Sequence, residues 1–275
     1  MPAPRPPSQS LKFHLLTRDQ NGGYLISISQ RRVRHLRQLV VDSGLCKIDV
    51  AAASSRILEH AVKPASGSGS PTLNKERFDA AMRGVVGLTK SRMTADSERH
   101  LSELLTSVFL SFDRDKKDEV SALEIVAGFT VLCGGRKSDK LEFAFDLIDE
   151  NDDGKLAHSE MVSYLKAFLT VLLRVSTSSA LDDDEKEVAL MTLKGGKCEV
   201  DDASIRRVIS AGTDCATAQV YNAVPGSMVK GKSGKLEPGQ MSFDDFADWY
   251  TKGGYTSIPW LELLDLRKWV LAAMP

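Results

Sequence analysis

The sequence has no paired cysteine motif, no charge excess and no long hydrophobic run. Cys46, Cys133, Cys198 and Cys215 lie far apart, so neither a zinc site nor a disulfide framework is indicated. The 36 Lys plus Arg residues are balanced by 37 Asp plus Glu residues, which excludes a general electrostatic attraction to nucleic acid. The apolar stretch 167–175 is well below the roughly 20 residues of a transmembrane helix.

The N-terminal residues lack the apolar core of a signal peptide. We therefore expect reduced thiols and a cytoplasmic location, either free or on a cytoskeletal or ciliary structure. Catalytic patterns are also missing: the five histidines are scattered, and the sequence contains no GxSxG, no phosphate-binding glycine loop and no HExxH. We predict that the protein is not an enzyme.

The most specific pattern lies at residues 149–160, which read DENDDGKLAHSE. Their D-x-N-x-D-G-x5-E spacing is that of a calcium loop, in which one short segment wraps a hard cation in oxygen ligands. The predicted ligands are Asp149, Asn151, Asp153, the backbone carbonyl of Lys155, and Glu160. The alternative is an acidic surface turn, but the apolar residues on both sides recur at helical spacing. Helix, loop and helix is the context that the motif requires.

A second loop at residues 113–124 aligns with the first at an offset of 36 residues. Its candidate ligands are Asp113, Asp115, Glu119, Ser121 and Glu124. Lys117 stands where the third carboxylate belongs, and Asp118 replaces the glycine of the sharp turn. We expect a structural loop in which Val120 faces Leu156 in a short strand pair, with a weak second calcium site as the alternative.

Two fainter copies lie near the ends of the chain, recognised only by their exit helices. The first, at residues 73–82, has Arg77 at loop position 12, so it is predicted not to bind calcium. The second, at residues 241–250, has Asp245 at position 12, but the stretch 231–240 before it contains no Asp or Asn. We interpret it as a degenerate fourth unit; the alternative is an ordinary linker between helices.

Four helix-loop-helix units over residues 48–252 resemble the four-EF-hand calcium sensors related to calmodulin, calcineurin B and the neuronal calcium sensors. The resemblance implies an all-α fold of paired EF-hand units, with short β bridges between loops and, here, extra terminal helices. It also implies Ca²⁺ as the cofactor and a protein partner bound in a hydrophobic groove. The candidate groove residues are Met161, Leu165, Phe168, Leu169 and Leu172, although core packing is the alternative for each of them.

Two further segments have apolar stripes at helical spacing. Residues 30–41 predict a basic amphipathic helix, which either contacts an acidic surface or packs on the first hand. Residues 258–271 predict an apolar C-terminal helix, which either docks in the groove or binds a partner.

The expected organisation has five parts. They are a disordered or loosely ordered extension at 1–29, in which a hairpin turn near 19–23 is the alternative; the basic helix and degenerate first hand at 30–92; a hand pair at 93–178; an acidic helix and degenerate fourth hand at 179–255; and the C-terminal helix at 256–275. The function predicted is that of a calcium sensor or adaptor. The alternative is a constitutive structural or regulatory subunit, for example of a ciliary or cytoskeletal assembly, in which calcium only stabilises the fold.

Overall fold

Helices account for most of the chain in the computed structural model, which describes residues 10–16, 23–63, 69–177, 188–192, 196–230 and 236–271. The helices are α1 Gln30–Ser43, α2 Val50–Leu58, α3 Lys75–Gly87, α4 Ala95–Phe112, α5 Ala122–Phe129, α6 Lys137–Ile148, α7 His158–Thr177, α8 Asp202–Ala223 and α9 Phe243–Trp249. The strands are β1 Leu11–Leu16, β2 Gly23–Ile28, β3 Thr72–Leu73, β4 Val120–Ser121, β5 Lys155–Ala157, β6 Val188–Thr192, β7 Lys197–Cys198, β8 Met228–Lys230, β9 Leu236–Pro238 and β10 Gln240–Ser242. The predicted all-α class, with short β bridges between loops, is confirmed.

The loops pair differently from the prediction. Val120 lies opposite Leu73, so the second loop pairs with the first. Leu156 lies opposite Met241, so the loop at 149–160 pairs with the fourth. The predicted pairing of Val120 with Leu156 is therefore wrong.

Aromatic packing explains which loops pair. In the second pair, the Phe145 ring lies 5.7 Å from Tyr164 and 5.4 Å from Phe243, and Tyr164 lies 5.9 Å from Phe246. These rings join the two helices of the third hand to the exit helix of the fourth, in the edge-on arrangement that aromatic pairs favour. The first pair is joined by ring contact between α3 and α4.

Helix α7 lies at the centre of the protein and packs against α4, α5 and α8. It ends at Thr177. Buried arginines hold this end in place. The Nη1 of Arg174 lies 2.8 Å from Asp202 of α8, and the Nε of Arg32 donates to the carbonyl of Ser176 at 3.0 Å. Cations placed here also complement the negative end of the helix dipole.

The N-terminal extension is ordered where the structure describes it, contrary to the expectation of a loose segment. Strands β1 and β2 form an antiparallel hairpin, and β6 and β7 extend it into a four-stranded sheet in the order β1-β2-β6-β7. Phe13 and Leu15 are buried, whereas His14 between them is exposed. Residues 1–9 and the predicted turn residues 19–22 lie outside the described residues.

Two predicted helices differ from the structure. Residues 188–192 of the predicted acidic helix form strand β6, and residues 181–187 lie outside the described residues. The C-terminal segment forms two short 3-10 turns, Pro259–Leu264 and Leu266–Lys268, instead of one α-helix. Its indole groups still lie in the interior, since Trp260 and Trp269 are both buried.

The basic segment forms α1, which begins at the N-cap Ser29 and ends at Gly44. Val33, Leu36 and Val40 are buried, and the helix packs against α4. The predicted apolar stripe therefore faces the protein interior, while Arg31 and Arg34 are exposed. Contact of this exposed side with an acidic surface stays a prediction. Over the described ranges, no helix combines the length and apolarity of a membrane span.

Candidate calcium-binding site

The loop at 149–160 has the backbone that its sequence predicts. It begins where α6 ends, and Gly154 at position 6 has a φ of 74°. That region favours glycine, because a side chain there would clash with the backbone. Asp152 at position 4 also has a positive φ, of 55°. The loop of the second hand repeats this pattern, with φ values of 57° at Lys116 and 56° at Asp118, so both loops turn at the same two positions.

The first predicted ligand is buried and held by the loop itself. Asp149 is 8% exposed. Its Oδ2 accepts the N–H of Gly154 at 2.7 Å, and its Oδ1 accepts the N–H of Asp153 at 3.3 Å. These two bonds hold the carboxylate at the start of the loop, and carboxylate oxygens are ligands that Ca²⁺ prefers. The remaining lone pairs of Asp149 are available to a ligand.

The next two predicted ligands also accept backbone bonds across the loop. The Oδ1 of Asn151 accepts from the N–H of Asp153 at 3.0 Å, and the Oδ1 of Asp153 accepts from the N–H of Lys155 at 2.9 Å. The side chains of Asn151 and Asp153 also contact each other, at 3.2 Å. Hydrogen bonds thus connect the residues at loop positions 1, 3 and 5 to one another.

Glu160, at position 12, lies in the first turn of α7. Its Oε2 accepts the N–H of Ala157 at 2.7 Å, an interaction that caps the helix start. The other three hands cap their exit helices differently, with the residue at loop position 9. These caps are Asn74, Ser121 and Ser242. Ala157 occupies that position in the third hand and has no side-chain acceptor, so Glu160 supplies the cap instead.

No three His, Cys, Asp or Glu side chains converge closely enough to hold a metal ion within the part of the chain that the structure describes. In the loop at 149–160 this follows from the bonds above, because Glu160 is turned to Ala157 and Asp153 to Lys155. The donor set nevertheless fits Ca²⁺. Carboxylate, amide and carbonyl oxygens on a flexible loop are what a hard cation of this size prefers.

Negative charge accumulates around the loop. Burial raises the pKa of Asp146, in the last turn of α6, and the nearby charges of Asp149 and Asp152 raise it further. Tyr221 of α8 responds in the same direction: burial, followed by the charge of Glu160, raises its pKa to about 12. A divalent cation would relieve this repulsion.

The residues of the second loop are engaged elsewhere. Asp113 accepts the N–H groups of Lys117 and Asp118, as Asp149 does in the third hand. The other four candidate ligands have different partners: Asp115 pairs with Lys117 at 2.5 Å, Glu119 accepts from Thr72 at 2.8 Å, Ser121 caps α5, and Glu124 pairs with Arg114 at 3.5 Å. Two of the five candidate ligands, Asp115 and Glu124, are thus paired with internal cations.

The first and fourth loops lack the chemistry of a calcium site. The guanidinium of Arg77, at position 12 of the first loop, donates to the carbonyl of His60 at 3.2 Å and joins the two helices of that hand. In the fourth hand, Asp245 accepts from Ser242 at 2.6 Å, and β8 and β9 form a hairpin. Residues 64–68 and 231–235 of these loops lie outside the described residues.

The candidate groove residues do not line an open surface. All five are at most 1% exposed, and they belong to the central core around α7. They are Met161, Leu165, Phe168, Leu169 and Leu172. An added Cβ at Gly212 of α8 would lie 3.0 Å from Leu169 and 3.8 Å from Leu15 of β1. The groove predicted at this position is therefore filled by the chain's own elements.

Tyr221 and Gln240 lie outside the motif but contact the loop at 149–160, and the loop sequence alone did not indicate either. Tyr221 donates from its hydroxyl to the carbonyl of Leu156 at 3.2 Å, and its ring lies 5.3 Å from His158. Gln240 donates from Nε2 to the Oδ2 of Asp153 at 2.8 Å. Gln240 occupies position 7 of the fourth loop. A correct prediction that this loop pairs with the loop at 149–160 would have indicated its contact with Asp153.

Comparison with known proteins gives matches at low identity. No family model matches the chain. A calcium-binding protein NCSA of Dictyostelium discoideum is 30% identical over 122 residues, which cover 44% of this chain and 59% of that protein. Human calaxin is 30% identical over 91 residues, 33% of this chain and 42% of calaxin. A recoverin family protein of Dictyostelium discoideum is 29% identical over 96 residues, 35% of this chain and 40% of that protein.

The chain thus spans between 40% and 59% of the length of these relatives. Some acyltransferases and a phospholipase D also match, but over 25% or less of their own length. The calcium-binding and recoverin family proteins are covered over a larger share of their length, and Ca²⁺ is the ligand that they support. At low identity, the chain is thus similar to proteins named as calcium-binding and as members of the recoverin family.

Proposed function

We propose that this protein is a calcium sensor or adaptor with a single Ca²⁺ site at residues 149–160. The observation that carries the proposal is the buried Asp149 carboxylate, held by the N–H groups of Asp153 and Gly154 at the start of a loop with the required turn. The ligands would be Asp149, Asn151, Asp153, the carbonyl of Lys155, and Glu160. Such a donor set is typical of dissociation constants on the order of 10⁻⁷ to 10⁻⁵ M.

The site can communicate with the core through Glu160. Bound calcium would supply a positive charge that draws carboxylate oxygens inward. Glu160 lies in the first turn of α7, the helix that packs on α4, α5 and α8. A change in the position of its carboxylate would therefore be transmitted to the central helix α7. Sensor EF-hands respond to calcium by opening a helix pair.

A protein partner is part of the proposal. Since the five candidate groove residues are buried, exposing them would require α8 or the turn Pro259–Leu264 to separate from α7. We expect calcium to increase the fluorescence of a hydrophobic dye bound to the full chain, because this separation uncovers apolar surface. The measurement is a dye titration with calcium or chelator, with Glu160→Gln as the control that should not respond.

The alternative function, a constitutive structural or regulatory subunit, is favoured by two observations. The groove is filled in cis, and internal bonds occupy three of the four loops. Under this alternative, calcium raises the melting temperature and leaves dye fluorescence unchanged. That result would overturn the sensor proposal while leaving the calcium site intact. A cytoplasmic location, free or on a cytoskeletal or ciliary structure, is proposed for both functions.

The proposal of one site makes a prediction about stoichiometry. Calorimetric titration of the full chain is expected to give about one Ca²⁺ per molecule, because Lys117 and Arg114 already neutralise acids of the second loop. Glu124→Gln should therefore leave both stoichiometry and affinity unchanged. Two ions per molecule, with one of them lost in Glu124→Gln, would show that the second loop binds calcium.

A further inference from the structure

We propose that Gln240, which belongs to the fourth hand and supplies no ligand atom, is a positioning residue for the calcium loop. Its role would be to hold the Asp153 carboxylate in place. The inference rests on the proposed calcium site at 149–160 and assigns a task to a hand that cannot bind calcium itself. It is carried by one contact between the two loops: the Nε2 of Gln240 lies 2.8 Å from the Oδ2 of Asp153.

The register of the loop pair brings these residues together. Gln240 is the first residue of β10 and lies opposite Ala157, while Met241 lies opposite Leu156. Because the loop at 149–160 curves around its centre, Asp153 comes within reach of a strand residue that pairs with a later part of the loop. Met241 is 1% exposed and Leu156 is fully buried, so the register is fixed by burial of one face.

Asp153 is a candidate ligand that needs such support more than Asp149 does. Asp149 is buried and bonded to two backbone N–H groups, whereas Asp153 is exposed. The backbone N–H of Lys155 bonds its Oδ1, and Asn151 and Gln240 donate to its Oδ2. An ionised carboxylate has about four acceptor sites, so these three bonds restrict its rotation and leave an acceptor position for a cation.

Restricting the carboxylate in advance should increase affinity, because binding then orders fewer side-chain rotamers. Outer-shell partners that orient metal ligands typically change metal affinity by about 10- to 100-fold when they are mutated. A neutral amide is suited to this task. It donates a hydrogen bond without bringing a positive charge to the site, unlike Lys117 at position 5 of the second loop.

The first pair of loops contains a parallel contact. Thr72, at position 7 of the first loop, donates from Oγ1 to the Oε1 of Glu119 at 2.8 Å. Gln240 occupies position 7 of the fourth loop. In both pairs, therefore, position 7 of the loop that lacks calcium ligands donates to an acid of the facing loop. That acid is a candidate ligand in each pair, Glu119 in the first and Asp153 in the second.

The test is calorimetric titration of the full chain with Ca²⁺. Gln240→Ala is expected to raise the dissociation constant about tenfold, with the stoichiometry and the melting temperature in chelator unchanged. Gln38→Ala is the matched control, since Gln38 is also exposed and donates to an aspartate, Asp42, at 2.6 Å on α1. It should bind calcium as the wild type does.

The same substitution made in an Asp153→Ala variant shows whether Gln240 acts through Asp153. In Asp153→Ala, adding Gln240→Ala should change the dissociation constant less than about twofold, because the residues no longer interact. A persistent tenfold effect there, or no effect of Gln240→Ala in the wild type, would overturn the inference and leave the calcium site standing. A wild-type chain that does not bind calcium would overturn the proposed function as well.

Discussion

Replacing Glu160 by Gln is expected to weaken calcium binding about 100-fold, equivalent to on the order of 3 kcal/mol. Glu160 is the candidate ligand at position 12, where a carboxylate supplies two oxygens to the ion. An amide of the same shape carries no charge and offers only one oxygen. Calorimetric titration measures the change directly, and calcium should then raise the melting temperature far less than it does in the wild type.

This substitution separates calcium binding from folding. The Oε2 of Glu160 accepts the N–H of Ala157, and the amide oxygen of Gln can accept the same bond. The helix start therefore stays capped, and the melting temperature in chelator should be unchanged. Glu150→Gln is the matched control, because position 2 of the loop supplies no ligand. Equal calcium affinity in wild type and Glu160→Gln would refute the assignment of the site to residues 149–160.

The turn of the loop at 149–160 was predictable because each loop position has one chemical requirement. Gly154 meets the need for a positive φ, and Asp149 lies at the point where an apolar helical pattern ends. Local pattern and structure agree at these positions. Gln240 and Tyr221 could not be found in this way, because their contacts with the loop depend on packing between distant segments.

Loop pairing was the main error in the fold prediction. The 36-residue offset made the second and third loops look like neighbours, although β strands pair through burial on a shared face rather than through sequence similarity. Val120 and Leu156 are both buried and of similar shape, so either could have faced the other. The ring contacts of Phe145 and Tyr164 with α9, far along the chain, decide the outcome.

The sequence of β1 contains a pattern that indicates a strand of the four-stranded sheet. Alternation of buried and exposed residues in β1 is the period of a strand, yet β6 completes the sheet from a segment read as an acidic helix. The C-terminal segment was misread for the opposite reason. Its apolar residues recur at helical spacing, but the short 3-10 turns allow Trp260 and Leu264 to pack inward together.

Replacing Trp260 by Ala is expected to destabilise the protein by about 3–5 kcal/mol. Trp260 is 2% exposed and lines a small pocket together with Gly212, Cys215 and Ala216 of α8. The segment that carries it also packs on α7 and β1, and the Nζ of Lys137 in α6 binds Glu262 at 2.5 Å. Urea denaturation followed by circular dichroism in chelator measures the loss.

Tyr255→Ala provides the matched control, because this nearby aromatic residue is 45% exposed and its removal should change stability by no more than about 0.5 kcal/mol. Equal losses in the two variants would show that the C-terminal segment is not docked as described.

The same pair of variants also tests the proposed sensor function. If Trp260 helps to close the core around α7, Trp260→Ala should bind hydrophobic dye in chelator, as the wild type is expected to do only with calcium. Dye binding that is unchanged by Trp260→Ala would instead place the calcium-dependent surface away from the C-terminal segment.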